Sequence, residues 1–529
     1  MEKGQILEFT IEDMSQEGKG IGKADGFAVF VDGAVVGDRV RVQLMKVKKR
    51  YGFGKLLEIL EESPDRIESF CEHQGECGGC PYGQLSYDAQ LALKEKQVRD
   101  KLERLGGITD PVVYPIMAMD EPFRYRNKAS MPVSTGGLIT LKGGIVQPVH
   151  EPRVGFFGAR SHEVADCSDC WLQSEPAMAA AEALRQFMTE DHITSYDPRW
   201  EKGLMRHMIV RTAAGTGQVM VILVINGKAI PNAQKLVEML DEAIYNVPVY
   251  DDGPMAGVEF SLESVVINVN KSKNLEGPIL GEECITIAGK PTITEEVSGM
   301  KFEISPLSFY QVNREQMVKL YDKVLEYADL KGGETVLDLY CGVGTIGLFC
   351  AREMKKKARE SAAEAAEAGA AATDAEGIAD KVKPGQVIGI ESIKGAVLDA
   401  NRNATINGIV NARYVCGKAE EVLPKMMGMT ETEGSASATE SGKEPAIRIS
   451  QADVAILDPP RAGCDERLLE AVVKAEPEKI VYVSCDPATL ARDIKWLTEN
   501  GYEFKEATPC DMFPWTSHVE TVCLLSRNK

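Results

Sequence analysis

From Ser298 onward the chain alternates short apolar runs with helix-like stretches, and this alternation limits the fold more than any other feature. ETVLDLYC, GQVIGIE, ADVAILDPP and KIVYVSC read as strands apolar enough to be buried on both faces of a parallel sheet. Such strands need crossover connections, so helices are predicted on both faces of one sheet, in a Rossmann-like α/β domain over 298–529. Two stretches break the alternation, at about 353–385 (Ala/Glu/Lys-rich) and about 428–451 (TETEGSASATESGKEP). Both read as insertions in surface connections, the first partly helical and the second disordered, and neither is assigned any chemistry.

At 529 residues the chain exceeds what a single core sustains, and two more units are expected upstream. Within residues 1–62, FAVFVDG, VVGDRVRVQLMKV and GFGKLLEIL are strand-like and separated by Gly-containing turns. Short strands at that spacing suit a five-stranded barrel of the OB type, an architecture that often holds oligonucleotides. Residues 63–297 begin with a cysteine-rich turn, CEHQGECGGC, followed by a predicted helix over Tyr87–Leu105 that Gly106 and Gly107 stop. Val98, Leu102 and Leu105 share one face of that helix. The remainder is mostly strand-like, with a hairpin in MRHMIVRTAAGTGQVMVILVING around Gly215 and Gly217, so a central α+β domain is predicted.

With 44% hydrophobic and 26% charged residues, the composition is that of a soluble globular protein. No apolar run reaches the roughly 20 residues that span a bilayer, and no membrane association is expected. The acidic start MEKGQILEFTIED lacks the layout of a secretory signal, so a cytoplasmic setting follows. There the 13 cysteines are expected as thiols, metal ligands or catalysts rather than disulfides. The net charge of −20 does not exclude a nucleic-acid partner, because phosphate is bound by local patches. One such patch gathers Arg39, Arg41, Lys46, Lys48, Lys49, Arg50 and Lys55, which reads equally as a solvated strand face.

VLDLYCGVGTIGLFCA is a buried strand, a tight glycine turn and a helix start. Asp338 closes the strand, and Gly342 and Gly344 let the backbone approach a ligand. Glu391 ends the next strand, where a carboxylate accepts from both ribose hydroxyls of a nucleoside cofactor. These features alone also suit a nicotinamide or flavin. Asp458-Pro459-Pro460, closing a third strand, shifts the reading to a methyltransferase, which places its methyl-receiving group at that edge.

Cys485 ends a fourth strand, and Pro487 suits the first turn of a helix, so the thiol is expected near a helix amino terminus that favours thiolate. A nucleophile fits one kind of acceptor. Carbon 5 of uracil attacks a sulfonium methyl only after a thiolate adds to carbon 6, and a base must then remove the carbon-5 proton. CDMFPWTSHVETVCLL offers His518 and Glu520 for that task. Among the other cysteines, spacing allows a zinc site on Cys77, Cys80, Cys167 and Cys170 or an iron–sulfur cluster that uses Cys71. The C-x3-C-x2-C of radical enzymes is absent.

SFYQVN, DLYCGVGTIGL, ILDPPRAG, VYVSCDPATLARD and DMFPWTSHVE together resemble the RNA uracil-5-methyltransferase family. The likeness runs through most of the chain apart from the two insertions, and G-x-G-I-G…FVDGAVVGDRVRV resembles the TRAM domain, a small RNA-binding module. The resemblance implies that Gln311, Tyr340, Glu391 and Asp458 contact S-adenosylmethionine, that Cys485 is the nucleophile and that Glu520 is the base, with His518 a neighbour. It also implies a structural [4Fe–4S] cluster on Cys71, Cys77, Cys80 and Cys170, leaving Cys167 incidental. The family often has Phe at position 340 and Asn at position 345, where this chain has Tyr and Thr. The implied substrate is uridine in 23S ribosomal RNA, with no obligate protein partner. The tRNA T-loop uridine is the alternative substrate. A non-catalytic RNA-binding ribosome assembly factor is the alternative of another class, against which the intact Cys485 and Glu520 speak. An amino-methyltransferase is disfavoured because Arg461 stands where its D/N-P-P-Y motif needs an aromatic residue.

Overall fold

Strand closure at the amino terminus depends on small residues inside the curve. A side chain at Gly22 or Gly54 would collide with Phe9 or Val42, so these two glycines admit the close strand approach a narrow barrel needs. In the computed structural model, which describes residues 1–135, 138–140, 146–148, 151–198, 200–274, 277–367, 385–428 and 447–528, β1 (Ile6–Met14), β2 (Gly20–Ala24), β3 (Phe27–Val31), β4 (Arg39–Val47) and β5 (Tyr51–Glu61) form a closed barrel of order β1-β2-β3-β5-β4. Phe9, Ile11, Val29, Val31, Val40, Val42 and Leu44 fill it.

Helix α1 (Tyr87–Arg104) is capped by Ser86, whose side chain accepts from the Ala89 amide. Val98 and Leu102 are buried against the carboxy-terminal domain. Leu105, expected on the same face, is instead the capping residue after the last turn and is 46% exposed. Lys94 is fully buried, and its ammonium donates to Asp511 Oδ1 at 2.5 Å and to the Phe513 carbonyl at 3.0 Å.

The central sheet has the order β10-β9-β6-β11-β12-β13-β14. Its strands are β6 (Lys128–Ser134), β9 (Arg153–Phe157), β10 (Val164–Asp166), β11 (Met205–Ala213), β12 (Gln218–Ile225), β13 (Ser261–Val269) and β14 (Glu283–Gly289), with the short pair β7 (Leu138–Thr140) and β8 (Val146–Pro148) separate from it. β11 and β12 form the expected hairpin. Two helices, α2 (Glu175–Glu190) and α3 (Ala233–Tyr245), cover this sheet, in a region expected to be α+β and mostly strand-like but with no helix placed there in advance. In α2 the alanines 177, 180 and 181 let Leu184 and Phe187 reach the strands. In α3, Leu236, Leu240 and Ile244 recur at helical spacing and carry the crossover between the parallel strands β12 and β13.

A hairpin of β15 (Ile293–Val297) and β16 (Met300–Ile304) and helix α4 (Arg314–Ala328) lead into a second seven-stranded sheet. β17 (Thr335–Leu339), β18 (Gln386–Glu391), β19 (Ala412–Cys416), β20 (Val454–Leu457) and β21 (Lys479–Ser484) are parallel. β22 (Tyr502–Cys510) and β23 (Glu520–Arg527) are antiparallel, and the order is β19-β18-β17-β20-β21-β23-β22. The helices α5 (Thr345–Glu367), α6 (Lys394–Ile406), α7 (Ala419–Met426), α8 (Glu466–Lys474) and α9 (Pro487–Glu499) complete the domain. One core packs α4, α5 and α6 on one face of the sheet, and another packs α1, α7, α8 and α9 on the opposite face. Helix α5 runs on into the first insertion as far as Glu367; residues 368–384, and 429–446 of the second, lie outside the described residues. No helix among the described residues is long and apolar enough to cross a membrane.

Removing one member of a buried ion pair strands the other charge, at a cost of about 3–5 kcal/mol. Lys94→Ala should therefore lower the unfolding midpoint strongly, and Lys94→Met/Asp511→Leu should recover most of the loss. Equal midpoints for Lys94→Ala and the wild type in denaturant titration would refute this account of the pair.

Candidate active site

Strand order reverses between β17 and β20, the place where an open α/β sheet forms a crevice at its carboxyl edge. Tyr340, immediately after β17, takes a left-handed conformation (φ 65°), followed by Gly342 (φ 54°) and Gly344 (φ 79°). A side chain at Gly342 would meet no atom within 4 Å, so this glycine faces open space, as expected of a ligand-approach position. Gly344 does not: a side chain there would strike the Tyr414 ring, so its smallness serves packing. Glu391 fixes the turn, accepting from the Gly342 amide at 3.2 Å and the Ile393 amide at 2.7 Å. The Thr345 hydroxyl, at the start of α5, lies 2.9 Å from the Tyr321 hydroxyl, which gives this departure from the family pattern a packing role.

Asp338 is fully buried; its Oδ2 accepts from the Gly347 amide at 2.9 Å, and its Oδ1 has no partner. Burial, with the Asp458 charge adding to it, pushes its carboxyl up to about 7. Burial likewise pushes Asp458 up to about 7. Glu520 is pushed up to about 8 by burial and then by Asp458, with Arg461 opposing. The crevice thus holds carboxyls that stay partly protonated near neutrality and gain from any cation placed among them. Gln311 is buried just ahead of α4, where its backbone carbonyl accepts from Asn127 at 2.9 Å.

Ser484 pairs with Thr521 across β21 and β23, so the next residues outward, Cys485 and Glu520, come to the same edge of the sheet. Burial, then the Glu520 carboxylate, pushes the Cys485 thiol up to about 11, while Arg461 pulls it down. Burial and Glu520 thus work against the thiolate expected from the helix terminus. Asp486 caps α9 beside this thiol, accepting from the Ala488 amide at 2.9 Å and the Thr489 amide at 3.0 Å. His518 is pushed down to about 4 by burial and by Arg461, whose Nη2 lies 3.4 Å from Nε2, and the ring is neutral. Arg461 is the cation of this group. Sequence reasoning used it only against the amino-methyltransferase motif, although its place in DPPRAG marked it.

A cavity of about 840 Å³ runs from the barrel to this edge, with Lys19, Arg126, Lys128, Arg461 and His518 among its lining residues. Burial, then the neighbouring Arg211 and Arg126, pull the Lys128 ammonium down to about 8. Cys71, Cys77, Cys80 and Cys170 line the same cavity, as does Cys167, and all are free thiols. Cys167 is buried and its thiol donates to the Asp169 carbonyl at 2.9 Å, while its nearness holds the Cys170 thiol below the usual thiol range. Four soft sulfur donors fit an iron–sulfur cluster by type. Yet among the described residues no three His, Cys, Asp or Glu side chains are placed to share a metal ion, so the expected cluster has no formed ligand set here.

Sheet order, glycine turn and strand-end carboxylates define a Rossmann-like methyltransferase preceded by a barrel. The sequence model of the tRNA (uracil-5-)-methyltransferases matches residues 378–528, and that of the TRAM domain matches residues 1–57. A protein of Halalkalibacterium halodurans named as an uncharacterized RNA methyltransferase is 38% identical over 99% of this chain and 97% of its own length. Another of that name from Caldanaerobacter subterraneus is 39% identical, over 99% of this chain and 98% of its own. The crystal structure of the Pyrococcus abyssi tRNA (uracil-54, C5)-methyltransferase in complex with S-adenosyl-L-homocysteine is 26% identical. It superposes with a TM-score of 0.66 over 98% of this chain and 99% of that one. The chain belongs to the RNA uracil-5-methyltransferase family and carries an amino-terminal TRAM domain.

The raised carboxyls carry a consequence for stability. Asp338 and Glu520 bind protons more tightly folded than unfolded, so their contribution is full below their ordinary range near 4 and is lost as pH rises through 7 to 8. The ligand-free protein should lose a few kcal/mol between about pH 5 and 8 from this source, and Glu520→Gln should flatten part of the slope. Thermal unfolding across that range checks it; a variant slope equal to the wild type's refutes it.

Proposed function

We propose that this protein methylates carbon 5 of a uridine in 23S ribosomal RNA through a covalent cysteine–uracil adduct. The observation that carries the mechanism is the placement of Cys485 and Glu520 together at the edge of the sheet, beside Arg461. Gln311, Tyr340, Glu391 and Asp458 hold S-adenosylmethionine in this reading. The open face of Gly342, the unpartnered Asp338 oxygen and the clustered carboxyls suit a cationic nucleoside ligand. S-adenosylmethionine supplies an electrophilic methyl group when bound.

The Cys485 sulfur bonds to carbon 6 after losing its proton, and the carbon 5–carbon 6 electron pair moves into an enolate on oxygen 4. The enolate pair then bonds carbon 5 to the methyl group, whose bond to the sulfonium sulfur breaks, and oxygen 4 returns to a carbonyl. Glu520 takes the carbon-5 hydrogen as a proton, the electron pair left behind re-forms the carbon 5–carbon 6 double bond, and the carbon 6–sulfur bond breaks to release the thiolate. A carboxyl held near 8 is a stronger base, once ionised, than an exposed glutamate. Arg461 faces the developing negative charge, and neutral His518 orients beside it.

The likeness to the Pyrococcus abyssi enzyme over nearly the whole chain favours a second substrate reading, the T-loop uridine of tRNA. Mapping 5-methyluridine in ribosomal and transfer RNA from a strain lacking the gene separates the two, since the modification should disappear from one RNA only.

Cys485→Ala should abolish methylation while keeping cofactor binding. Glu520→Gln should add its thiol and transfer the methyl but stall at elimination, leaving a denaturation-resistant protein–RNA band on a gel. His518→Ala should accumulate no such band. Normal turnover by Glu520→Gln, or accumulation in the His518 variant instead, rules out Glu520 as the base.

We propose further that Cys71, Cys77, Cys80 and Cys170 hold a [4Fe–4S] cluster with a structural role, supported by their common cavity and by the family resemblance. Protein purified without oxygen should contain about four irons per chain. Cys170→Ser should lose the iron and Cys167→Ser should keep it; stoichiometric zinc in active protein overturns this assignment.

A further inference from the structure

Arg461 and Cys485 follow the neighbouring strands β20 and β21, and the guanidinium pulls the thiol down. Yet the Arg461 side chain has few ties of its own. The residue is exposed, and among the described residues its guanidinium has one hydrogen-bonding contact, His518 at 3.4 Å. A long side chain held at one point keeps its place only where its backbone is fixed. The backbone from Arg461 to Cys464 is gripped by one helix. Thr489 Oγ1, in the first turn of α9, lies 3.1 Å from the Arg461 carbonyl and 3.2 Å from the Asp486 carbonyl, a hydroxyl set between the two loops. One turn further on, Arg492 Nη2 donates to the Ala462 carbonyl at 3.0 Å and the Cys464 carbonyl at 3.3 Å. Asp493 Oδ2 accepts from the Cys464 amide at 2.8 Å. Thr489, Arg492 and Asp493 share the face that helical spacing gives them.

This grip is itself anchored. Asp493 is buried, and its carboxylate accepts from the Tyr482 hydroxyl on β21 at 2.6 Å and from Arg492 Nε at 2.7 Å. Arg492 thus uses two parts of its fork, Nε on Asp493 and Nη2 on the loop carbonyls, a geometry that a lysine cannot copy. Gly463 (φ 78°) lies against the pair, where any side chain would strike Arg492 or Asp493. The helix begins at Pro487, directly after Asp486. One rigid element therefore carries the nucleophile at its head and the Arg461 loop along its flank. Arg461 and His518 line the large cavity, whereas Arg492 and Asp493 stand behind the loop.

We propose that Arg492, braced by Asp493, is a positioning residue that fixes the backbone 461–464 and so keeps the Arg461 guanidinium against the nucleophile. The inference rests on the reading of Cys485 as the nucleophile with Arg461 beside it, and adds the device that holds the two in register.

Alkylation of Cys485 by iodoacetamide tests it, followed by mass spectrometry of its peptide in the full-length protein at a fixed pH below the thiol's midpoint. The exposed Cys416 serves as internal control. Only the thiolate reacts, so the rate reports its population. Arg461→Ala should slow Cys485 by about tenfold and Arg492→Ala by about threefold or more, with the Cys416 rate unchanged in both. The Arg492 side chain is 55% exposed, so its removal leaves the core intact. Arg492→Lys, which keeps the charge without the fork, should be as slow as Arg492→Ala. Adding Arg492→Ala to Arg461→Ala should slow the reaction no further, because the two act through one guanidinium. A wild-type rate in Arg492→Ala beside a slow Arg461→Ala overturns the positioning role and leaves the active-site reading standing. A wild-type rate in Arg461→Ala takes Arg461 out of that reading and the inference with it. A wild-type rate in Arg492→Lys, or further slowing in the double variant, shows Arg492 acting by its own charge and overturns the inference. So does a changed Cys416 rate in Arg492→Ala, which marks a general disturbance of the domain.

Discussion

Lys94 and Asp511 face each other with no access to water, and the arrangement of the molecule turns on that contact. Burial pulls the Lys94 ammonium down while Asp511 holds it up, and the geometry survives because the Phe513 carbonyl takes a further donor. Neither charge is tolerable there alone. The pair pins α1, which follows the cysteine-rich turn, to the segment 511–519 that joins β22 to β23. Trp515 reinforces the grip: its indole donates to the Pro122 carbonyl at 2.8 Å, its amide donates to Gln90 at 3.0 Å, and its ring stacks on Phe123. Glu520 and His518 are positioned by this clamp as much as by their own strand.

The motif DMFPWTSHVE therefore combines two kinds of constraint. Asp511 and Trp515 dock the segment on the central region, and His518 and Glu520 face the crevice. A reader of the linear sequence sees ten residues of one signature and assigns its weight to chemistry. The division appears only when α1 and the Phe123 region, hundreds of residues away in the chain, are brought alongside.

Much of the architecture was legible because its signals are local. The barrel strands and the four parallel strands announce themselves by alternation, apolar runs and glycine turns, and Glu391 and Cys485 fall at strand ends as the text suggests. β19 escaped because Ala412–Cys416 is short and polar at its exposed positions. Helix α2 escaped because its alanines supply little contrast between faces, and only contact with the central sheet defines the buried one. Helix polarity beside Cys485 was visible in the sequence, but the burial and the Glu520 charge that oppose a thiolate there are products of folding. The four thiols show the same limit, since spacing identifies donors without fixing their mutual geometry.

The order of the carboxy-terminal strands bears on how the protein comes into being. β23 is synthesised after β21 and β22 yet lies between them, hydrogen-bonded to both. Until it inserts, β22 has no neighbour in the sheet, and β21 presents an open edge on the side where the thiol stands. Cys485 and Glu520 are thus brought to one edge by the pairing of the last strand with β21.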